Sequence, residues 1–269
     1  MTISATLAAL NVYPLKSGGG TALAATALTP RGLRFDREFM LVDPDGRFLS
    51  QRTCTRMALL RPEFDGELLA VRLAAPDAPA PLLHKAVANG PVLDVRVHAS
   101  HCAGVDQGDE AARWFGAALG LDCRLVRFTG SRSTSVGGGE VMFADGYPLL
   151  VISEESLADL NARLDEPLPM NRFRPSIVLA GLGPYGEDGV RRLRIGAGPD
   201  AAEIEIVKPS ARCVITTTDQ RTAERGREPL RTLAKYRLAD QEIRFGQNAV
   251  PRVLGRLVVG DPVEVLREA

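Results

Sequence analysis

The sequence has few cysteines, and their spacing excludes several kinds of redox site. The 269 residues include four cysteines with no Cys-x-x-Cys pair among them. An iron–sulfur cluster and an attached haem both need closely spaced cysteines, so we expect neither. No Gly-x-Gly-x-x-Gly follows a strand pattern, so a nicotinamide-binding signature is missing too. In a reducing compartment we expect four free thiols: Cys54, Cys102, Cys123 and Cys213.

Long apolar runs and an excess of one charge are also absent. No stretch approaches the length of a transmembrane helix, and no basic residue precedes Lys16, as a secretory signal or a transit peptide would require. Basic and acidic residues both number 33, whereas a protein that binds nucleic acid over a whole face is usually basic. We therefore predict a cytoplasmic protein without a nucleic-acid or membrane partner.

Histidine is scarce, which limits zinc chemistry. The chain has three histidines, and two of them lie with Cys102 in the segment HASHC at residues 98–102. This segment lacks a fourth ligand and the spacing of a zinc site, so we interpret it as an ordinary part of the fold. The remaining histidine, His84, offers little support for a histidine-dependent nucleophile.

Patterns of strand and turn cover most of the chain and predict a mostly β (α+β) fold, a barrel or a sandwich. Residues 38–52 have a hairpin signal at Pro44-Asp45-Gly46, residues 203–207 alternate strictly, and residues 256–266 give two short strands. Two helices are indicated, one ending at Gly120 and one beginning at Ser153. The second helix has a predicted buried stripe of Leu157, Leu160 and Leu164.

A segment rich in serine and glycine, residues 129–140, has no apolar periodicity and is predicted to be a flexible loop. We place a domain boundary just before it. The chain is therefore predicted to have two domains, residues 1–125 and 126–269.

One cysteine lies in a distinctive setting. In VKPSARCVITTTDQ, residues 207–220, Cys213 directly follows Arg212 inside a predicted strand. A thiolate is a nucleophile and a good ligand for a soft or high-valent metal, and nearby cations favour it. The alternative is a buried cysteine that packs as a small apolar residue. Side chains alternate along a strand, so Arg212 would point to the opposite face of the sheet.

Two groups of cations are candidates for binding an anion. Lys16 and Ser17 precede three glycines whose N–H groups are able to meet a phosphate; the alternative is a strand that ends in a glycine-rich turn. Arg172 and Arg174 are two residues apart, and Pro175 favours an extended segment from which both point the same way; the alternative is a solvated basic edge.

A third group of cations has a simpler interpretation. Arg31, Arg34 and Arg37 lie close to Asp36 in the segment RGLRFDREF. Such mixed charges are typical of an ordinary surface ion pair.

These segments, in this order, resemble the MOSC proteins, named for the C-terminal domain of molybdenum cofactor sulfurase. In the first half the similarity rests on VYPLKS, GLRFDREFMLVDPDGRFLSQR and ARWFGAALGLDCRLVRF; in the second half it rests on FADGYPLLVISEESLADLNARL, NRFRPSIVLAG, ARCVITTTDQRT and FGQNAV with GRLVVGDPVEVL. The resemblance implies an N-terminal MOSC-associated β-barrel domain followed by a MOSC barrel. Among these proteins, the mitochondrial amidoxime reducing component and its bacterial counterparts reduce N-hydroxylated compounds.

The resemblance also implies which residues bind a cofactor. Cys213 would ligate molybdenum in a molybdopterin cofactor and act as the catalytic residue, with Arg212 beside it. Lys16 and Ser17 would bind the pterin phosphate. The other implied contacts are Arg37, Asp145, Gly146, Tyr147 and Arg174, although the side chains at 145–147 differ from the Thr/Ser of the family pattern.

The function implied is that of a molybdenum-dependent oxidoreductase that binds Mo-molybdopterin and reduces a small N-hydroxylated substrate. Some bacterial relatives carry a C-terminal ferredoxin domain, and this chain ends at VEVLREA without one. We therefore expect a separate electron-transfer protein to supply the electrons. One alternative is a sulfur-carrier or cofactor-handling protein with a persulfide on Cys213, and another is a binding module without chemistry. A label of pyridoxal phosphate binding also attaches to the family.

Overall fold

The computed structural model describes residues 5–268 of the chain. In chain order, its strands are β1 (Ala5–Val12), β2 (Thr21–Leu23), β3 (Ala25–Thr29), β4 (Gly32–Leu33), β5 (Phe39–Val42), β6 (Leu60–Phe64), β7 (Leu68–Leu73), β8 (Leu82–Lys85), β9 (Val92–Val97), β10 (Ser100–Asp106), β11 (Arg124–Thr129), β12 (Leu149–Ser153), β13 (Ile177–Ala180), β14 (Val190–Ile195), β15 (Ala202–Ala211), β16 (Leu238–Ala239), β17 (Glu242–Val253), β18 (Arg256–Val258) and β19 (Pro262–Glu268). Its helices are α1 (Asp109–Leu119), α2 (Glu154–Asn161) and α3 (Leu230–Leu233).

A barrel of seven strands organises the second half of the molecule. Its strands follow the order β12-β13-β1-β19-β14-β15-β17, and the sheet closes because β17 also pairs with β12. Neighbours are antiparallel except β12 and β13, which run parallel. Residues that alternate along the strands fill the interior, among them the fully buried Leu7, Leu193 and Ile204. The predicted mostly β, barrel-containing fold is confirmed.

A second layer of sheets forms beside the barrel. Strands β5, β11, β10 and β9 make a four-stranded sheet, and β6, β7 and β8 make a three-stranded sheet. Helix α1 packs on this region, because Ala111, Phe115 and Ala118 share one buried cluster with residues of β5 and β7. The helix ends where predicted, at Gly120, whose positive φ of 69° suits glycine and whose N–H donates to the Gly116 carbonyl.

The other local predictions hold. Ser153 begins α2, and its Oγ accepts the N–H of Ser156 at 3.1 Å. In the predicted stripe Leu160 is fully buried, while Leu157 and Leu164 are partly buried. Strands β18 and β19 form as predicted but do not pair with each other, because β18 joins β3 and β19 joins β1 and β14.

Strand β1 crosses the predicted domain division. It belongs to the first eighth of the sequence, yet it lies in the barrel between β13 and β19. The boundary drawn at residues 125 and 126 stays a prediction. Residues 130–140 contain no named strand or helix, as expected of a loop. Among residues 5–268, no helix is long and apolar enough to cross a membrane.

Candidate functional site

All nine residues that the sequence singles out for a cofactor line one cleft of about 310 Å³. The cleft lies between one end of the barrel and the sheets of the first half. The nine residues come from five separated stretches of the chain, after β1, before β5, before β12, before β13 and after β15. The predicted residues brought together are Lys16, Ser17, Arg37, Asp145, Gly146, Tyr147, Arg174, Arg212 and Cys213.

Cys213 lies just beyond a strand rather than inside one. Strand β15 ends at Ala211, and Cys213 begins a short 3₁₀ turn over Val214–Thr217. Thr216 fixes this turn, since its N–H and its hydroxyl both donate to the Cys213 carbonyl, at 3.1 and 3.0 Å. The thiol is half-buried, and Arg52 Nη2 lies 3.5 Å from Cys213 Sγ. The prediction of a strand position for Cys213 is therefore wrong.

Arg212 faces the same cleft as Cys213, which corrects the expectation that the two would point to opposite sheet faces. The alternation of a strand no longer applies once β15 has ended. Arg212 donates to the Phe173 carbonyl at 2.7 Å and to Ser210 Oγ at 2.8 Å. Burial lowers the pKa of Arg212 to about 10. Its Nε is buried and has no hydrogen-bond partner among the described residues.

Lys16 is buried on the opposite wall. Its Nζ donates to the Phe143 carbonyl at 2.8 Å and contacts the Asp145 carboxylate. Burial lowers the pKa of Lys16, and Asp145 opposes that effect. For Asp145, burial raises the pKa, but Lys16 and then His98 outweigh burial and hold the pKa well below its ordinary value. The Asp145 carboxyl is therefore ionised at neutral pH.

Two guanidinium groups contact the ring of Tyr13. The central carbon of Arg37 lies 4.2 Å from the ring centroid, and that of Arg174 lies 4.3 Å from it. Arg37 also contacts the buried Asp36 carboxylate, and Arg174 donates to the Gly18 carbonyl at 2.5 Å. Burial, followed by repulsion from Arg37, lowers the pKa of Arg174 to about 10. The aromatic ring holds two like charges close together.

Three of the predicted site residues have left-handed backbone conformations. The φ angles are 65° at Ser17, 51° at Arg37 and 58° at Arg174. Residues other than glycine rarely adopt this region, and such strain tends to collect at functional sites. The value at Arg174 also shows that Pro175 does not keep it extended, so that prediction is wrong.

Two of the proposed anion sites do not form as predicted. Arg172 is buried away from the cleft, with Nη1 3.6 Å from Asp219, so it does not pair with Arg174. The glycines after Ser17 do not offer their N–H groups to a phosphate. Those of Gly18 and Gly19 donate to the carbonyls of Leu15 and Leu60. A Cβ on Gly19 would lie 2.6 Å from the Leu60 oxygen, so close packing explains that glycine.

The third cation group separates. Arg37 joins the cleft, whereas Arg31 forms a half-exposed pair with Glu140 at 3.0 Å and Arg34 stacks on Phe35. Asp36 pairs with Arg37 in a buried position, and the surface ion pair of Arg31 is with Glu140, so the interpretation as a surface pair with Asp36 is wrong.

Sequence reasoning missed several residues of the cleft. Arg52 is the most notable, because it approaches both Cys213 Sγ and the Asp145 carboxylate, each at 3.5 Å. It lies in the quoted motif GLRFDREFMLVDPDGRFLSQR, yet nothing in its local pattern distinguishes it from other arginines. The other polar residues missed are Ser176, Ser210, Thr216 and Asn248.

The residues fit an anionic cofactor that brings most of a metal's ligands with it. Six cationic side chains line the cleft against one carboxylate, Asp145. The buried, unpartnered Arg212 Nε adds a donor that points to an anion. Among residues 5–268, no group of three His, Cys, Asp or Glu side chains is placed to hold a metal. A metal bound through Cys213 would therefore take its other ligands from the cofactor.

Two family models match the chain, one in each half. The MOSC N-terminal beta barrel domain matches residues 4–122, and the MOSC domain matches residues 138–264. Mitochondrial amidoxime-reducing component 1 from Mus musculus is 34% identical over 97% of this chain and 82% of its own length. The chain belongs to the MOSC family. This MOSC protein is also 32% identical to mitochondrial amidoxime reducing component 2 from Bos taurus, over 96% of the chain and 82% of that protein.

A third relative is a larger protein. Molybdenum cofactor sulfurase from Drosophila grimshawi is 31% identical over 96% of this chain but only 34% of its own length. The MOSC protein described here therefore corresponds to about a third of that relative.

Proposed function

We propose that this MOSC protein is a molybdenum cofactor-dependent oxidoreductase that reduces N-hydroxylated compounds. The observation that carries the proposal is the meeting of one half-buried thiol, Cys213, with six cationic side chains in a single cleft. The names of its relatives support the same class, because amidoximes are N-hydroxylated compounds.

The two walls of the cleft would hold different parts of Mo-molybdopterin. Cys213 would ligate the molybdenum, and Arg52, which donates to its Sγ at 3.5 Å, would orient the sulfur. Lys16, Arg37 and Arg174 would bind the phosphate, since charge-assisted hydrogen bonds to guanidinium and ammonium groups are strong. Ser17, Asp145, Gly146, Tyr147 and Arg212 would complete the contacts.

The proposed reaction consumes two electrons and two protons. The N–O bond of the substrate breaks, the nitrogen takes up one proton, and the hydroxyl group takes up the other and leaves as water. When bound, the cofactor supplies the two-electron chemistry. The protein's own residues would bind and orient the reactants, and the ionised Asp145 holds Lys16 and Arg52 in place.

Electrons would come from a separate electron-transfer protein. The purified protein given only NADH or NADPH is expected not to reduce benzamidoxime, and a reduced small electron-transfer protein or reduced methyl viologen is expected to start turnover. Reduction with NADH and no other component would contradict this proposal.

The second candidate function is sulfur transfer or cofactor handling through a persulfide on Cys213. The similarity to a molybdenum cofactor sulfurase supports this second candidate. Metal analysis separates the two, because stoichiometric molybdenum supports the oxidoreductase. No turnover with any donor despite full molybdenum occupancy would favour the persulfide. If the Cys213→Ser substitution changes no property of the protein, the chain would instead be a plain binding module.

Two further predictions remain open. The cytoplasmic location is a prediction, and fractionation of the native cells would test it. The label of pyridoxal phosphate binding is also a prediction. Lys16, the lysine buried in the cleft, already contacts Asp145 and the Phe143 carbonyl, so we assign it to anion binding instead.

A further inference from the structure

A second cavity, of about 560 Å³, adjoins the cleft at Arg52. Arg52 lines both spaces, so we name the second one the side cavity. Nothing in the proposed cofactor site uses it. Its other principal lining residues are Phe48, Leu49, Arg96, His98 and Leu121.

One layer of side chains separates the side cavity from Cys213. Arg52 Nη2 lies 3.5 Å from Cys213 Sγ and 3.5 Å from Asp145 Oδ2. His98, on the wall of the side cavity, has its Nε2 3.2 Å from the other oxygen of Asp145. A molecule with one end at Cys213 therefore reaches the side cavity by passing Arg52.

The lining of the side cavity suits an aromatic ring. Phe48 and His98 pack edge to face with their ring centroids 4.8 Å apart, which presents an aromatic surface to a third ring. Leu49 and Leu121 add aliphatic surface. An apolar lining with a few polar groups is typical of small-molecule sites.

The charges at the rim favour an anionic substituent. Asp43 is engaged in its own turn, because its Oδ1 accepts the N–H groups of Asp45 and Arg47. The Arg47 side chain pairs with Asp45 at 3.1 Å. Across residues 5–268, the exposed Arg96 guanidinium has neither an ion pair nor a hydrogen-bond partner. Arg96 is thus the cation at this rim that is free to meet a carboxylate.

We infer that the side cavity binds the body of the substrate, an aromatic ring with an anionic substituent, while the N-hydroxyl end lies in the cleft. The inference rests on the proposed function, which assigns the cleft to the cofactor and leaves little room there for a ring. Leu121 and Arg96 then determine specificity without taking part in the reaction.

Three substrates and four variants of the molybdenum-loaded protein test this assignment, with reduced methyl viologen as donor. The substrates are hydroxylamine, benzamidoxime and 4-carboxybenzamidoxime. Leu121 is 38% exposed, so Leu121→Trp fills the cavity without disturbing the core. This variant is expected to raise KM for both aromatic substrates about tenfold while leaving hydroxylamine unchanged.

Arg96→Gln is expected to raise KM for the carboxylated substrate alone, about fivefold. Arg72→Gln is the matched control, because it removes an exposed arginine that lines neither space. Thr53→Trp, at another exposed lining residue, repeats the filling test should Leu121→Trp fold poorly.

The outcomes separate this inference from the proposed function. If KM for each substrate is the same in every variant as in the wild type, the inference is overturned while the proposed function stands. If the loaded wild type reduces none of the three substrates, the proposed function fails. The side cavity is then tested by itself, through the binding of 4-carboxybenzamidoxime measured by calorimetry. If Leu121→Trp and Arg96→Gln both weaken this binding relative to the wild type, the side cavity is supported as the binding site. If the variants leave the affinity unchanged, or if the wild type shows no binding, the inference is overturned.

Discussion

The cleft beside Cys213 and the side cavity across Arg52 place their cations differently. In the cleft, Lys16 is buried and the guanidinium of Arg174 has its pKa lowered to about 10 by burial. At the side cavity, Arg96 and Arg47 are exposed on the rim. Buried charge is costly unless a partner compensates it, whereas an exposed cation is solvated and gains little from a contact. On the proposed assignments, the cleft would retain its anion tightly, and the side cavity would contribute a smaller preference among ligands.

The largest expected contrast is between two cysteines, one in each space. Cys213→Ser is expected to keep the fold and lose turnover, because serine oxygen is a harder ligand than thiolate. Cys54, which lines the side cavity, provides the matched control for the metal, and Cys54→Ser is expected to retain molybdenum. The measurements are metal content and benzamidoxime reduction with an artificial donor. Full reductase activity in Cys213→Ser would refute its role as ligand.

The next effect concerns the buried cations. Removing one partner of a charge-assisted contact costs roughly 1.5–3 kcal/mol, so Lys16→Ala and Arg174→Ala are each expected to weaken cofactor binding about 10- to 100-fold. Arg174→Lys is also expected to lose affinity if the contact is bidentate. Pterin fluorescence of the purified proteins measures occupancy.

Arg96→Ala is the control for these cleft variants, since Arg96 is exposed at the rim of the side cavity. It is expected to purify with normal pterin. A normal pterin content in all three cleft variants, Lys16→Ala, Arg174→Ala and Arg174→Lys, would contradict this prediction. The cations of the cleft would then matter no more for cofactor binding than Arg96 does.

The smallest expected effect is a dependence on pH. Burial lowers the pKa of Arg174 to about 10, below its value in an unfolded chain, so the folded side chain is charged at neutral pH and loses its charge as the pH rises through about 10. Cofactor retention is then expected to fall over that range, by less than in Arg174→Ala. Cofactor retention is measured as the molybdenum that stays with the protein through gel filtration. Circular dichroism at the same pH shows that the fold persists. Unchanged retention in the wild type up to pH values above 10 would argue against a phosphate contact at Arg174.

Local patterns predicted the secondary structure and pointed to much of the site. Helix α1 ends at Gly120 and α2 begins at Ser153, because caps and apolar periodicity act over a few residues. The family motifs identified nine residues that the structure places in one cleft. Their individual roles stay predictions until the variants are measured.

Long-range packing decided the rest, because it depends on residues far apart in the sequence. Strand β1 joins the barrel through β13 and β19, which lie more than half the chain away, and no local pattern predicts such a pairing. The left-handed backbone of Arg174 opposes its local preference before proline and persists because Tyr13 and Gly18 hold its side chain. Arg52 meets Cys213 across 161 positions of sequence, so its place between the cleft and the side cavity exists only in the folded chain.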